Sequence, residues 1–143
     1  MGVHMNNVRR FALIFGIVYL LAGLAGFVPA LLRPATGDAP QLAVDTLSGH
    51  LLGLFPVNVL HSLVHLAIGI WGLVAAKSVT ASSTYGKSLA VIYGVLAVMG
   101  LIPAMNTMFG LVPLHGHDIW LHAGTALIAA YFGFATKPET QRA

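Results

Sequence analysis

The chain has 143 residues, 57% of them hydrophobic and 8% charged, with a net charge of +3 and a mean hydropathy of +0.85. Soluble domains carry about 25% charged residues, so this composition excludes an ordinary cytosolic globule and makes the lipid bilayer the expected partner. With no cysteine there are neither disulfides nor thiolate metal sites, and no phosphate-binding glycine loop or basic run suited to nucleic acid is present.

Crossing the hydrocarbon core takes ~20 mostly apolar residues in a helix, and four stretches meet that need, over about 11–32, 57–76, 88–105 and 118–136. The expected fold is all-α, a single-domain integral membrane four-helix bundle. Arg9 and Arg10 ahead of the first stretch have the outline of a signal peptide, but the apolar run is long for one. The first connection, 33–56, is rich in proline and polar residues and is expected to hold a short interfacial helix over 42–54. Lys77 and Lys87 flank the second connection, and Lys137 and Arg142 follow the fourth stretch, whereas Arg33, Asp38, Asp45 and Asp118 lie at the opposite ends. The positive-inside rule then puts both termini in the cytoplasm and the histidine-bearing ends outside.

An internal repeat refines this outline. GIVYLLAGLAGFVPA (16–30) aligns without a gap on AVIYGVLAVMGLIPA (90–104), pairing Tyr19 with Tyr93, Gly26 with Gly100 and Pro29 with Pro103. LHSLVHLAIGIWGL (60–73) over LHAGTALIAAYFGF (121–134) likewise pairs His61 with His122 and Gly72 with Gly133. Such a duplication implies two hairpins of the same orientation, a parallel 2+2 repeat about an axis along the membrane normal. His61 and His122 would face each other at one depth.

Helical spacing leads to the same place. Asn58, His61, His65, Gly69, Gly72 and Ala76 fall on one face of the second helix, and Asp118, His122, Thr125, Ala126, Ala129 and Gly133 on one face of the fourth. Small residues mark helix contacts in lipid, and polar side chains turn into the bundle. A histidine cluster is therefore expected in the outward half of the bundle.

Three readings of that cluster stay open. His61, His65 and His122 supply three imidazoles, the ligand set of an open zinc or other divalent transition-metal site. Asp118 lies a turn outside His122 while His65 lies a turn inside His61, a separation of ~12 Å along the axis, which bars the two from sharing one ion. Asp118 is thus expected as helix cap or as the acceptor orienting His122, with Asn58 doing the same for His61, and Ser62 and Thr125 as further hydrogen-bond partners. In the second reading two histidines ligate haem b for electron transfer. In the third the histidines are structural, hydrogen-bonding across helices as glue worth ~0.6–2 kcal/mol each. A transport pathway through four short helices without embedded charge would require a homo-oligomer. His50, His115 and His117 lie in outer loops and are expected to be solvated, with a possible part for the last two in metal recruitment.

The segments LLGLFPVNVLHSLVHLAIGIWGLVAAK (51–77) and LVPLHGHDIWLHAGTALIAAYFGF (111–134), preceded by RRFALIFGIVYLLAGLAGFVP, resemble a family of small bacterial four-helix membrane proteins catalogued only as a domain of unknown function. The pattern is carried by Gly53, Phe55, Asn58, His61, His65, Gly69, Gly72, Asp118, Leu121 and His122. Ser62 stands where the family often has asparagine, and His115 with His117 where the loop is more often asparagine-rich, so the resemblance lends the loop pair no role. It implies a bacterial plasma-membrane location and the same polar positions, and it supplies no activity.

Overall fold

The computed structural model describes residues 6–135; Lys137, Arg142 and the expected end of the fourth helix at 136 lie outside them. Four helices carry most of the chain: α1 (Asn7–Ala25), α2 (Val59–Ala75), α3 (Val79–Leu101) and α4 (His117–Ala135). Between α1 and α2 a 3-10 turn at Pro29–Leu31 leads into strands β1 (Leu32–Arg33), β2 (Gly49–Leu51) and β3 (Phe55–Val57).

Caps and prolines set the helix limits. The Asn6 side chain accepts from the Arg9 amide at 3.2 Å and starts α1 earlier than its apolar run. Gly26 closes the helix and Pro29, which cannot donate to an i−4 carbonyl, opens the 3-10 turn, so the expected continuation to 32 does not form. Ser78 caps α3 at 3.1 Å to the Ala81 amide, which brings its start forward from the expected 88 and makes 79–87 helical rather than a loop. Hydroxyls carry this polar first section: Ser82 donates to the Ala75 carbonyl at 2.9 Å and Ser83 to that of Gly133 at 2.8 Å. Arg9 donates to the Ala76 carbonyl at 2.8 Å, placing a cation at the negative end of α2.

A three-stranded antiparallel sheet of order β1-β2-β3 occupies the first connection, with Leu32 opposite Leu51 and Gly49 opposite Val57. The expected helix over 42–54 is absent. Positive φ at Leu47 (51°), Leu52 (54°) and Gly53 (76°) breaks any helical run, and Leu52–Gly53 form the tight turn between β2 and β3. Pro56 is tolerated because β3 is an edge strand.

Glycine contacts fix the helix pairs and their directions. Gly16 lies against Gly72 and Gly23 against Leu66, so α1 and α2 are antiparallel; Gly86 against Gly133 and Gly100 beside Ile119 make α3 and α4 antiparallel. A Cβ on Gly72 would stand 2.7 Å from the Gly16 Cα, and one on Gly133 2.5 Å from the Lys87 amide nitrogen. Only glycine permits backbones that close. Phe11 meets Tyr85 and Tyr19 meets Tyr93 across the join of the two hairpins, with ring centroids 6.1 and 5.4 Å apart. Hence α1 parallels α3, and the N-termini of α2 and α4 sit at one end. Tyr85, Leu89 and Tyr93 fill the interior with Phe11 and Tyr19. The buried faces are the striped ones expected from the sequence: Asn58, His61, His65, Gly69 and Gly72 on α2, and Asp118, His122, Thr125, Ala129 and Gly133 on α4.

Of the four expected spans, α1 and α3 are both long and apolar enough to cross a membrane by length and composition. The apolar α2 has 17 residues, and α4 opens on the polar side chains of His117, Asp118 and His122.

Candidate metal centre

Each polar side chain of the cluster sits near a helix start. Asn58 caps α2, its Oδ1 accepting from the His61 amide at 2.9 Å, which fixes His61 in the first turn. On α4 the first turn carries Asp118, where a carboxylate suits the positive helix end, and His122 follows one turn later on the same face.

His61, Asp118 and His122 converge. The Asp118 Oδ2 lies 3.7 Å from the His61 Nε2 and 4.0 Å from the His122 Nε2, and one ligand atom from each residue falls within 4.8 Å of the others. All three are buried, at 3%, 1% and 1% exposure. Neither contact is short enough for a hydrogen bond. The Asp118 Oδ2 and the Nδ1 of His122 have no hydrogen-bond partner among the described residues.

The residues whose ligand atoms converge differ from the expected set. His65 does not join: its ring stands one turn further in, edge-on to His61 at 4.4 Å and to Tyr19 at 5.2 Å. Asp118, expected outside, stands inside. The three residues that converge are centred on His61, one turn outside His65, so Asp118 meets them without reaching the level of His65.

The remaining expected partners have other tasks. Asn58 does not orient the His61 ring; its Nδ2 donates to the carbonyls of Val44 at 2.8 Å and Leu111 at 2.7 Å, tying both outer connections over the cluster. Thr125 accepts from the Tyr19 hydroxyl at 3.2 Å. Ser62 packs against Gly26, its Oγ without a hydrogen-bond partner. Among the outer histidines, His50 and His115 pair with ring centroids 6.4 Å apart and His117 lies by Phe55 at 6.5 Å. His115 is partly buried, and that burial, then His50, holds its imidazole below the usual range.

Two tyrosines left without a role by sequence reasoning belong to the site. Tyr93 lies 5.0 Å from the His122 ring and touches Tyr19, which reaches His65. Their signal was present, since they are the pair that the internal repeat sets in register. Beside them His61, His65, His122 and Tyr93 form one wall of a cavity of about 160 Å³, lined elsewhere by apolar side chains.

A family model described as a domain of unknown function (DUF4383) matches residues 9–135. No curated protein and no solved structure matches the chain.

Proposed function

The chain belongs to this family of unknown function, which supplies no activity to carry over, and from the site itself we propose an integral membrane protein that holds a divalent transition metal, zinc by preference, through His61, Asp118 and His122. One observation carries the reading: a buried carboxylate oxygen without a partner faces two imidazole nitrogens at 3.7 and 4.0 Å. Three ligands each ~2.1 Å from a tetrahedral ion lie about 3.4 Å apart. Closing on an ion therefore asks the two carboxylate contacts to tighten by about 0.3–0.6 Å and the ligand group, which spans up to 4.8 Å, to draw in by up to about 1.4 Å.

Donor chemistry favours zinc. Two imidazoles and a carboxylate are a familiar zinc set, and three protein ligands leave one tetrahedral position for water or substrate, as in catalytic rather than structural sites. When bound, such an ion polarises an oxygen in that position or lowers the pKa of its water. Haem fits less well, because the carboxylate lies against both nitrogens that would have to face the iron across a flat slot. The structural reading requires direct hydrogen bonds that these distances do not provide.

Membrane insertion is supported by the outer faces. Ile14, Val18 and Leu21 of α1, Val64 and Ile70 of α2, Val91, Val95 and Val98 of α3, and Leu127, Tyr131 and Phe134 of α4 are all exposed. An apolar belt on every helix is far beyond what a water-soluble monomer presents. The 17-residue α2 suits a thinned or tilted passage. With Arg9, Arg10, Lys77 and Lys87 at one end, the centre would lie toward the outside of a bacterial plasma membrane, with both termini cytoplasmic.

Elemental analysis of detergent-purified protein is the test. We expect about one zinc per chain, removable by chelator and lost in His122→Ala. Protein that takes up no metal when zinc is supplied, with thermal stability indifferent to chelator, would return the histidines to the structural reading.

A further inference from the structure

The cavity beside the centre has two unlike walls. His61, His65, Tyr93 and His122 form one, and Val64, Ile92, Leu96, Met108, Val112 and Leu114 form the other. Val64 and Ile92 are 48% and 40% exposed on the outer faces of α2 and α3, whereas Leu114 at the back is 1% exposed. The mouth thus opens sideways between two helices, into the apolar belt, and not through the outer loops that Asn58 ties shut.

We infer that this cavity admits a small uncharged lipophilic molecule from the hydrocarbon phase, its apolar body against Leu96, Met108 and Leu114 and a single oxygen, an alcohol or carbonyl, against the histidine wall. Size sets the class: an apolar cavity of roughly 150 Å³ holds one benzene ring, and this one measures about 160 Å³. Charge is excluded on physical grounds, since no lining residue offers a permanent counter-charge and the approach lies through lipid. One polar end suits the imidazole wall, where the Nε2 atoms of His61 and His122 stand 3.7 and 4.0 Å from Asp118, too far for a direct hydrogen bond, and a wholly apolar guest would leave them so. What the oxygen meets, an ion or the imidazoles themselves, rests on the metal reading; occupancy of the apolar half does not.

The test uses the full chain in lipid nanodiscs with a phenyl-diazirine photolabel, adducts being mapped by mass spectrometry in zinc-loaded and in chelator-stripped protein. Met108 and Leu114 should be labelled saturably. Toluene should compete, and benzyl alcohol, the same body with one oxygen, should compete about fivefold better, the worth of one net hydrogen bond. Leu96→Trp should abolish the saturable part by filling the cavity, and Leu96→Ala should keep it, while labelling of lipid-facing Leu127 reports that either variant is still folded in the membrane. Absence of saturable labelling, its survival in Leu96→Trp with Leu127 labelled normally, or equal competition by toluene and the alcohol would each overturn the inference. Zinc content is measured on the same samples, so a chain that binds no zinc yet labels saturably loses only the metal reading, and one that binds zinc without labelling loses only the cavity.

Discussion

Replacing Asp118 by asparagine separates a metal ligand from a structural carboxyl by the sign of two effects. The side chain is isosteric and 1% exposed, so the packing is undisturbed. Without metal the carboxyl has one oxygen unpartnered, facing imidazole nitrogens at 3.7 and 4.0 Å. An amide nitrogen in its place can donate to either ring after a small shift, and relief of an unsatisfied buried group is worth about 1–3 kcal/mol. Metal-free Asp118→Asn should therefore be more stable than the metal-free parent. Zinc reverses the order of gains. At ~1,000 times its Kd an ion that binds only the folded chain adds about 4 kcal/mol. If losing the carboxylate weakens binding ~100-fold, the upper end for a mere supporting residue, the same zinc concentration adds only about 1.4 kcal/mol. Unfolding of both proteins in detergent, with chelator and with zinc, measures the two increments. Equal zinc increments in parent and variant, or a metal-free variant less stable than its parent, would refute the assignment of Asp118 as a ligand.

Other outcomes follow from the same geometry. His65→Gln should keep its zinc where His61→Gln loses it, since the His65 ring lies edge-on to His61 outside the ligand group; metal content of the two variants checks this. Gly72→Ala should destabilise the bundle by about 1–3 kcal/mol, because the new Cβ would meet the Gly16 Cα at 2.7 Å, and denaturant unfolding should register the loss with metal content per folded chain unchanged. Asn58→Ala removes the α2 cap and two ties to the outer connections at 2.8 and 2.7 Å, so amide exchange should rise at Ala43 and Val44, whose amides bond Gly110, more than at mid-helix positions. For topology, a cysteine at exposed Thr36 should react with an impermeant reagent on intact cells and one at exposed Thr84 only after permeabilisation; the reverse pattern would place the centre on the cytoplasmic side.

Features that depend on a residue and its neighbours within a turn or two were legible in the sequence. The spacing of Asn58, His61, His65, Gly69 and Gly72 fixes a common face whatever the helix packs against, and burial falls on that face. Glycines at 16, 72 and 133 announce close backbone approach because no other residue gains from it. Caps are equally local, and Asn6 and Ser78 could have been read as helix starts; apolar runs drew attention away from them.

Tertiary structure alone decided which side chains share the centre. Helical periodicity gives the angle of His65 and Asp118 around their own axes but not the axial offset between α2 and α4, which touch little and are positioned through their hairpin partners. That offset is set by the glycine seams, by Asn58 holding the Val44 and Leu111 carbonyls, and by tyrosines meeting across the join. A shift of one helical turn, ~5.4 Å, is enough to part Asp118 from His61, which now lie 3.7 Å apart. The small sheet escaped the sequence for a related reason: strands of two and three residues have no period of their own, and pairing across 16 intervening residues, from Arg33 to His50, is a property of the closed loop rather than of either segment.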